Sequence, residues 1–398
     1  MTAVGAARYA GSRVQRVEDA RLLTGAGTFV DDITRPGMLH ACFVRSPHPR
    51  ARIGSIDTSA ALALPGVHAV FTADDLNGDV VEAWYTGTGN QVPDTPRPPL
   101  AHGEARFAGD IVALVVADSR YLAEDAAELV DVDYEPLPAV ADYASARTAE
   151  ALVHEGYAGN LAGELAGAPA ETVADAYDAA AHVVSETIWE QAQGAVPMET
   201  RGLVVEWSQG SGELTVWAGT QAPHEVRLFA ARLLGIPEHR VRVITRDVGG
   251  GFGQKVVPLR EDICVLLAAR KLPAAVKWIE DRRENLQSAG QARHEHGAAR
   301  LAFDDAGTIL AASLDHVQDV GAYPTPWPVG TGTGPGRSSR SPRPCRPATA
   351  SGTRRRPVRG RATRRGSFPP RRRRASLRRA RAAPGQRTAG SPGGPRST

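Results

Sequence analysis

The stretch Arg246-Asp247-Val248-Gly249-Gly250-Gly251-Phe252-Gly253-Gln254-Lys255 decides how this chain is read. Within 249–253 every position is glycine except Phe252. The preceding run, Val241-Arg242-Val243-Ile244-Thr245, is rich in β-branched residues and predicts a strand. From about Leu259 to Arg270, Ile263, Leu266 and Leu267 recur at helical spacing. The glycines therefore fall on a strand-to-helix turn. Glycine permits φ > 0 and close approach to the backbone. A run of them can aim several N–H groups at one anion or polar oxo group. Nucleotide motifs fit poorly. A P-loop needs Gly where Gln254 stands and Ser or Thr where Val256 stands, and the spacing here is G-x-G, not the dinucleotide G-x-G-x-x-G. A tight packing turn is the other reading of such a loop.

A chain of 398 residues is long enough for two or three domains. Its cysteines, Cys42, Cys264 and Cys345, form no C-x-x-C pair, so no disulfide framework and no local zinc or iron–sulfur site is indicated. Cys264 lies in the helical pattern and reads as a small buried apolar residue. No apolar leader or spanning run is evident, and a cytoplasmic protein is the default expectation.

In chain order, Leu39–Arg45 and Val67–Phe71 read as strands, and Thr58–Leu64 as a short helix ending at Pro65-Gly66. Residues 77–100 read as loop. Asp110–Val116 is a continuous apolar run, as in a strand covered on both faces. A helix capped at Asp118 or Ser119 should follow, then a short strand at Val132–Tyr134. That pattern predicts a β-α-β unit with a right-handed parallel crossover. Residues 141–180 are Ala-rich and acidic, a linker over the surface. Leu203–Trp207 and Leu214–Trp217 predict a hairpin around Gln209–Gly212, and His296–Phe303 with Ile309–Val317 a second one. Gln221 stands just past a strand end and just before a helix stopped by Gly235 and Pro237, a common place for a site residue. Glu280–Asn285 reads as a solvated charged turn. His40, His48, His294 and His296 read as surface or packing histidines, the last two sharing one strand face.

Asp247–Lys255, with Lys277-Trp278-Ile279-Glu280-Asp281-Arg282 and Glu284-Asn285, resembles the large molybdenum subunit of the xanthine dehydrogenase and aldehyde oxidase family. Val256 places the resemblance nearer the carbon monoxide dehydrogenase-like branch than the purine oxidisers, which carry a Glu there. Gly219-Thr220-Gln221-Ala222-Pro223, Pro197-Met198-Glu199 and Arg21-Leu22-Leu23-Thr24-Gly25 extend it, from about Gly11 to about Gly330. The resemblance implies an α+β chain: a flexible start at 1–18, an α/β hammerhead domain at 19–140, the linker at 141–180, and a first molybdopterin-binding domain of mixed sheets and helices at 181–335. It implies molybdenum held by a molybdopterin cofactor, of the cytosine dinucleotide form. Iron–sulfur clusters and FAD would sit on partner subunits of a hetero-oligomer. The reaction would oxidise an aldehyde, an N-heterocycle or carbon monoxide with water-derived oxygen. Gln221 would be the catalytic residue, donating its amide to an oxo group. Gly250, Gly251, Phe252 and Gly253 would bind the cofactor, the N–H groups of the last three approaching an oxo group or the pterin. Gln221 and Phe252 would lie beside the metal's oxo groups, no protein atom being a direct ligand. The competing class is a non-catalytic scaffold fragment.

Residues 337–398 hold 20 Arg, no Lys and no acidic residue. Without them the chain has 27 basic against 44 acidic residues, so the overall charge of +3 hides an acidic body and a basic tail. Only three tail residues are Leu, Ile, Val or Phe, too few to offset the entropy of ordering, so a disordered basic tail is expected over 336–398. Twenty Arg would suit phosphate contacts. We favour instead a shifted reading frame in a GC-rich gene, and expect neither nucleic acid nor membrane as a partner.

Overall fold

The computed structural model describes residues 13–80, 97–155, 158–162 and 173–323. The chain divides into a unit ending at Arg337 and another from Ser338, and all described residues belong to the first. The predicted disordered tail thus lies outside the described residues, as do the start of the N-terminal segment and much of the loop at 77–100.

The first elements are α1 (Asp19–Leu23), β1 (Leu39–Arg45), β2 (Ala51–Asp57), α2 (Ser59–Leu62), β3 (Val67–Phe71), α3 (Ala73–Leu76), β4 (Glu104–Ala105), β5 (Ile111–Ala117), α4 (Arg120–Glu128) and β6 (Asp131–Pro136). Further along the chain come α5 (Ala174–Asp178), which falls within the stretch 141–180 expected as a linker, then β7 (His182–Glu190), β8 (Gln193–Gly194), β9 (Gly202–Ser208), β10 (Glu213–Ala218), α6 (Pro223–Leu234), β11 (Val241–Ile244), α7 (Arg260–Lys271), β12 (Val276–Ile279), α8 (Arg282–Ser288), β13 (Gln291–Ala292), β14 (Glu295–Phe303) and β15 (Ile309–Gln318).

A mixed seven-stranded sheet organises them, in the order β11-β10-β9-β12-β1-β5-β3. Its strands come from two separate stretches of the chain, 39–117 and 202–279, joined where β1 runs parallel to β12, Leu39 opposite Val276 and His40 opposite Lys277. The fold is α+β, mixing parallel and antiparallel pairs. The apolar run in β5 is buried at every position. Leu114 and Val116 face the main core, and Val115 faces a smaller cluster with Ala61, Ala126 and Val130. Alternate side chains on opposite faces explain the unbroken run. The main core continues through Leu203, Val205, Leu214 and Val216 into α6 and α7.

The expected β-α-β crossover is not formed. β5 pairs antiparallel with β1 and β3, while β6 pairs antiparallel with β2 in a separate three-stranded sheet. The reason lies in β6 itself: Asp131, Asp133 and Glu135 alternate along it, and such a strand cannot enter a sheet buried on both faces. Both predicted hairpins are present, β9 with β10 and β14 with β15. The charged turn at 280–285 is corrected too. Asp281 caps α8 by accepting from the Glu284 N–H, and Glu284 returns the bond to the Asp281 N–H at 2.9 Å, a capping box. Glu280 and Asn285 are buried, at 1% and 4% exposure. His294 precedes β14 with φ 62°, so it does not share a strand face with His296. Its Nδ1 pairs with Asp319 at 2.8 Å, and His296 stacks on Trp189. No helix among the described residues is long and apolar enough to cross a membrane.

Candidate cofactor site

The glycine stretch leaves the end of β11 and turns toward α7, as the sequence predicted. Gly250 and Gly253 adopt φ 99° and 95°, and Phe252 φ 51°. Phe252 is an uncommon residue in the left-handed region. Its ring lies over Gly250, where an added Cβ would come 2.9 Å from Phe252 Cε2. The ring remains 76% exposed, as an apolar group standing at the surface.

Gln221 follows β10 and meets this loop directly. Its backbone N–H donates to the Lys255 carbonyl at 2.9 Å, and Thr220 Oγ1 donates to the same carbonyl at 2.9 Å. The carboxamide oxygen Oε1 accepts from the N–H groups of Gly253 at 2.9 Å and Lys255 at 3.3 Å. The Gly253 amide is therefore turned to Gln221, not outward. The Gln221 amide nitrogen and the N–H groups of Gly251 and Phe252 have no acceptor among the described residues. Gly251 allows this approach: a Cβ there would stand 2.3 Å from Gln221 Oε1.

Sequence reading gave Glu199 no role. Its Oε2 accepts from Gly249 N and from Lys255 Nζ, each at 2.8 Å, so one carboxylate ties the two ends of the loop together. The Glu199 N–H returns a bond to the Gly249 carbonyl at 3.1 Å, and Gly249 has no room for a Cβ, which would lie 2.4 Å from Glu199 Cβ. Lys255 is buried, and burial pushes its amine below the ordinary lysine value, against the opposing pull of Glu199. A buried lysine needs such a partner, and the mark Glu199 carried in the sequence was its place in the Pro197-Met198-Glu199 motif. At the loop's start, Arg21 of α1 forms a two-pronged ion pair with Asp247, which also accepts from Thr28 N at 2.8 Å. The Arg21 hydrogen bond holds the Asp247 carboxyl down at about 2.

Beneath the loop is a cavity of about 30 Å³, bordered by Thr220, Gln254, Lys255, Arg201 and Asp262. Asp262 is largely buried against it, and burial raises its carboxyl to about 6. Arg201 lies fully inside, bonded to Glu280 Oε1 at 2.9 Å through Nε and to both Glu261 oxygens at 3.1 Å. Burial alone would depress this guanidinium, but the two carboxylates hold it well above its usual value. Among the described residues no group of three His, Cys, Asp or Glu side chains is arranged to hold a metal ion. The loop offers hydrogen-bond donors and an open backbone instead, the chemistry that suits an anionic, oxygen-rich cofactor.

Both halves of the described chain match family models. Residues 24–138 match the aldehyde oxidase and xanthine dehydrogenase a/b hammerhead domain, and 153–336 match the molybdopterin cofactor-binding domain. The chain belongs to the aldehyde oxidase and xanthine dehydrogenase family, as part of a molybdopterin-binding large subunit of the carbon monoxide dehydrogenase-like branch. It is 40% identical over 318 residues to the nicotine 6-hydroxylase large subunit of Paenarthrobacter nicotinovorans, covering 79% of this chain and 39% of that one. The carbon monoxide dehydrogenase large chain of Afipia carboxidovorans is 40% identical over 338 residues, covering 80% and 41%. The crystal structure of quinoline 2-oxidoreductase from Pseudomonas putida 86 superposes with a TM-score of 0.69 at 40% identity, covering 77% and 39%. The chain thus spans about two fifths of the length of the relatives it matches.

Proposed function

We propose that this chain supplies the glycine-loop part of the cofactor site in a molybdenum hydroxylase, an oxidoreductase acting on an aldehyde, an N-heterocycle or carbon monoxide. The observation that carries this reading is the fixed carboxamide of Gln221. With Oε1 held by the Gly253 and Lys255 amides, the Nε2 end is left as the donor. A molybdenum–molybdopterin cofactor, in its cytosine dinucleotide form, supplies two-electron oxidation and water-derived oxygen when bound. Gln221 Nε2 and the N–H groups of Gly251 and Phe252 are the donors for its oxygen atoms. Gly250 and Gly253 give the backbone the left-handed bends that bring those groups together. The Phe252 ring, lying over Gly250, keeps water from one side. Electrons leave to iron–sulfur and FAD subunits of a cytoplasmic hetero-oligomer.

The test is Gln221→Ala in the complete protein. A preorganised donor of this kind contributes about 10²-fold in turnover. We expect that loss with molybdenum content retained. Parallel loss of metal and turnover would give Gln221 a retention role instead. A purified complete protein with no molybdenum and no dye reduction would leave the scaffold reading standing.

A further inference from the structure

A chain of buried polar contacts leads from the sheet to the underside of the glycine loop. Arg45 of β1 bonds Glu261 of α7 and Glu284 of α8, at 3.1 and 3.0 Å. Glu261 bonds Arg201, which bonds Glu280 at the end of β12. Glu280 Oε2 accepts from Asn285 Nδ2 at 2.8 Å, and Asn285 Nδ2 also donates to Gln254 Oε1 at 2.9 Å. Gln254 is the loop residue between the two amides, 253 and 255, that grip Gln221. The other end of the same helical turn reaches the loop's opposite flank. Arg282 Nη1 donates to Asn285 Oδ1 at 2.8 Å, while its Nη2 binds the carbonyls of Pro197 and Met198. Pro197 in turn borders Gly250.

We propose that Asn285 is a positioning residue, which transmits the rigidity of the buried Arg201–Glu280 pair to Gln254 and so sets the register of the Gly253 and Lys255 amides on Gln221. Asn285 touches neither Gln221 nor the loop's outward amides, so it acts through Gln254. The geometry suits the task. Asn285 is 4% exposed, its two amide hydrogens match two fixed acceptors, and its oxygen is held by Arg282. A buried amide with both hydrogens and its oxygen paired, as at Asn285, is held stiffly, and losing it leaves its acceptors unpaired. The consequence for catalysis rests on the function proposed above; the mechanical statement does not.

The experiment is site-resolved hydrogen exchange on the full chain without cofactor. In Asn285→Ala, the amides of Gly253 and Lys255 should exchange at least tenfold faster, while those of β9 and β10 change by less than threefold. Gln254 is only half-buried, so its variants keep the fold available if Asn285→Ala does not fold. Gln254→Met, whose thioether is only a weak acceptor, should reproduce the tenfold rise. Gln254→Glu, which still accepts from Asn285 but has lost its 3.4 Å bond to the Gly290 carbonyl, should retain wild-type protection. Loss of protection in Gln254→Glu equal to that in Gln254→Met would overturn the proposal, as would unchanged exchange in Gln254→Met. A failure of Gln221→Ala to affect turnover would leave these exchange rates untouched, so the two readings fail separately.

Discussion

At Gly251 the absence of one carbon decides whether Gln221 can sit where it does. Gly251→Ala would place a methyl 2.3 Å from Oε1, and the Gln221 side chain would have to leave the Gly253 and Lys255 amides. Two hydrogen bonds at stake correspond to about 1–2 kcal/mol in urea unfolding. Gly210→Ala is the matched control: its Cβ would meet nothing within 4 Å and its φ is not positive, so we expect a change within about 0.5 kcal/mol. Equal effects at the two positions would remove the steric account. Asp262 gives a pH test. Its folded-state carboxyl, near 6, lies above the ordinary 3.8, so the folded chain keeps a proton that the unfolded chain has already released. The stability this contributes is present below about pH 4 and is lost as pH rises through 6. Asp262→Asn can still accept from Leu259 N, the bond Asp262 Oδ2 makes at 2.7 Å. The variant should match wild type near pH 4 and exceed it above pH 6 by about 1–3 kcal/mol. Parallel stability curves for the two proteins would show that Asp262 ionises freely.

Elements were legible in the sequence where one local signal dominated. The β5 run, the Gln209–Gly212 hairpin and the α6 stop at Gly235, with φ 62°, each carry their own instruction. The meeting of Gln221 with the loop followed from family resemblance, not from spacing, because 34 positions separate Gln221 from the Lys255 it bonds. What could not be read were long-range polar choices. Glu280-Asp281-Arg282-Arg283-Glu284-Asn285 looks solvated because six polar residues in a row usually are. The capping-box spacing of Asp281 and Glu284 was present in the sequence, but Arg201, nearly 80 residues away, is what makes burying Glu280 tolerable. This gives a test at the level of the packed elements α7, β12 and α8. Arg201→Met would leave the carboxylates of Glu261 and Glu280 buried without their shared cation, at a cost of about 3–5 kcal/mol. Asp281→Ala, which removes only the α8 cap, should cost about 1 kcal/mol. Comparable midpoints for the two variants in guanidinium would mean that the buried cluster adds nothing beyond helix capping.

For the molecule as a whole, the consequential feature is that one sheet is assembled from two distant stretches of sequence. The two family models meet the chain at 24–138 and 153–336, yet β1, β3 and β5 continue the sheet of β9 to β12. The join is short in register but densely tied. Phe43 packs edge-on against Trp278 at 5.4 Å, Lys277 Nζ reaches Asp31 Oδ1 at 2.7 Å, Arg45 pairs with Glu261, and Arg260 is buried against Asp110. Two of these ion pairs, Arg45–Glu261 and Arg260–Asp110, have both charges almost wholly inside, and in the third Lys277 is buried while Asp31 is exposed; opening the seam would strand the buried charges without partners. Local opening of one stretch should therefore be nearly as costly as global unfolding, which requires a single cooperative transition. Phe43→Ala tests this from one side of the seam. Removing a buried aromatic ring costs about 3–5 kcal/mol. If the sheet unfolds as one body, hydrogen exchange should accelerate by the same factor in β5 and in β10, although Phe43 belongs to β1 and β10 lies three strands away. Acceleration in β5 with β10 still protected would mean that the stretches fold independently and that the β1–β12 pairing is a docking contact between two finished units.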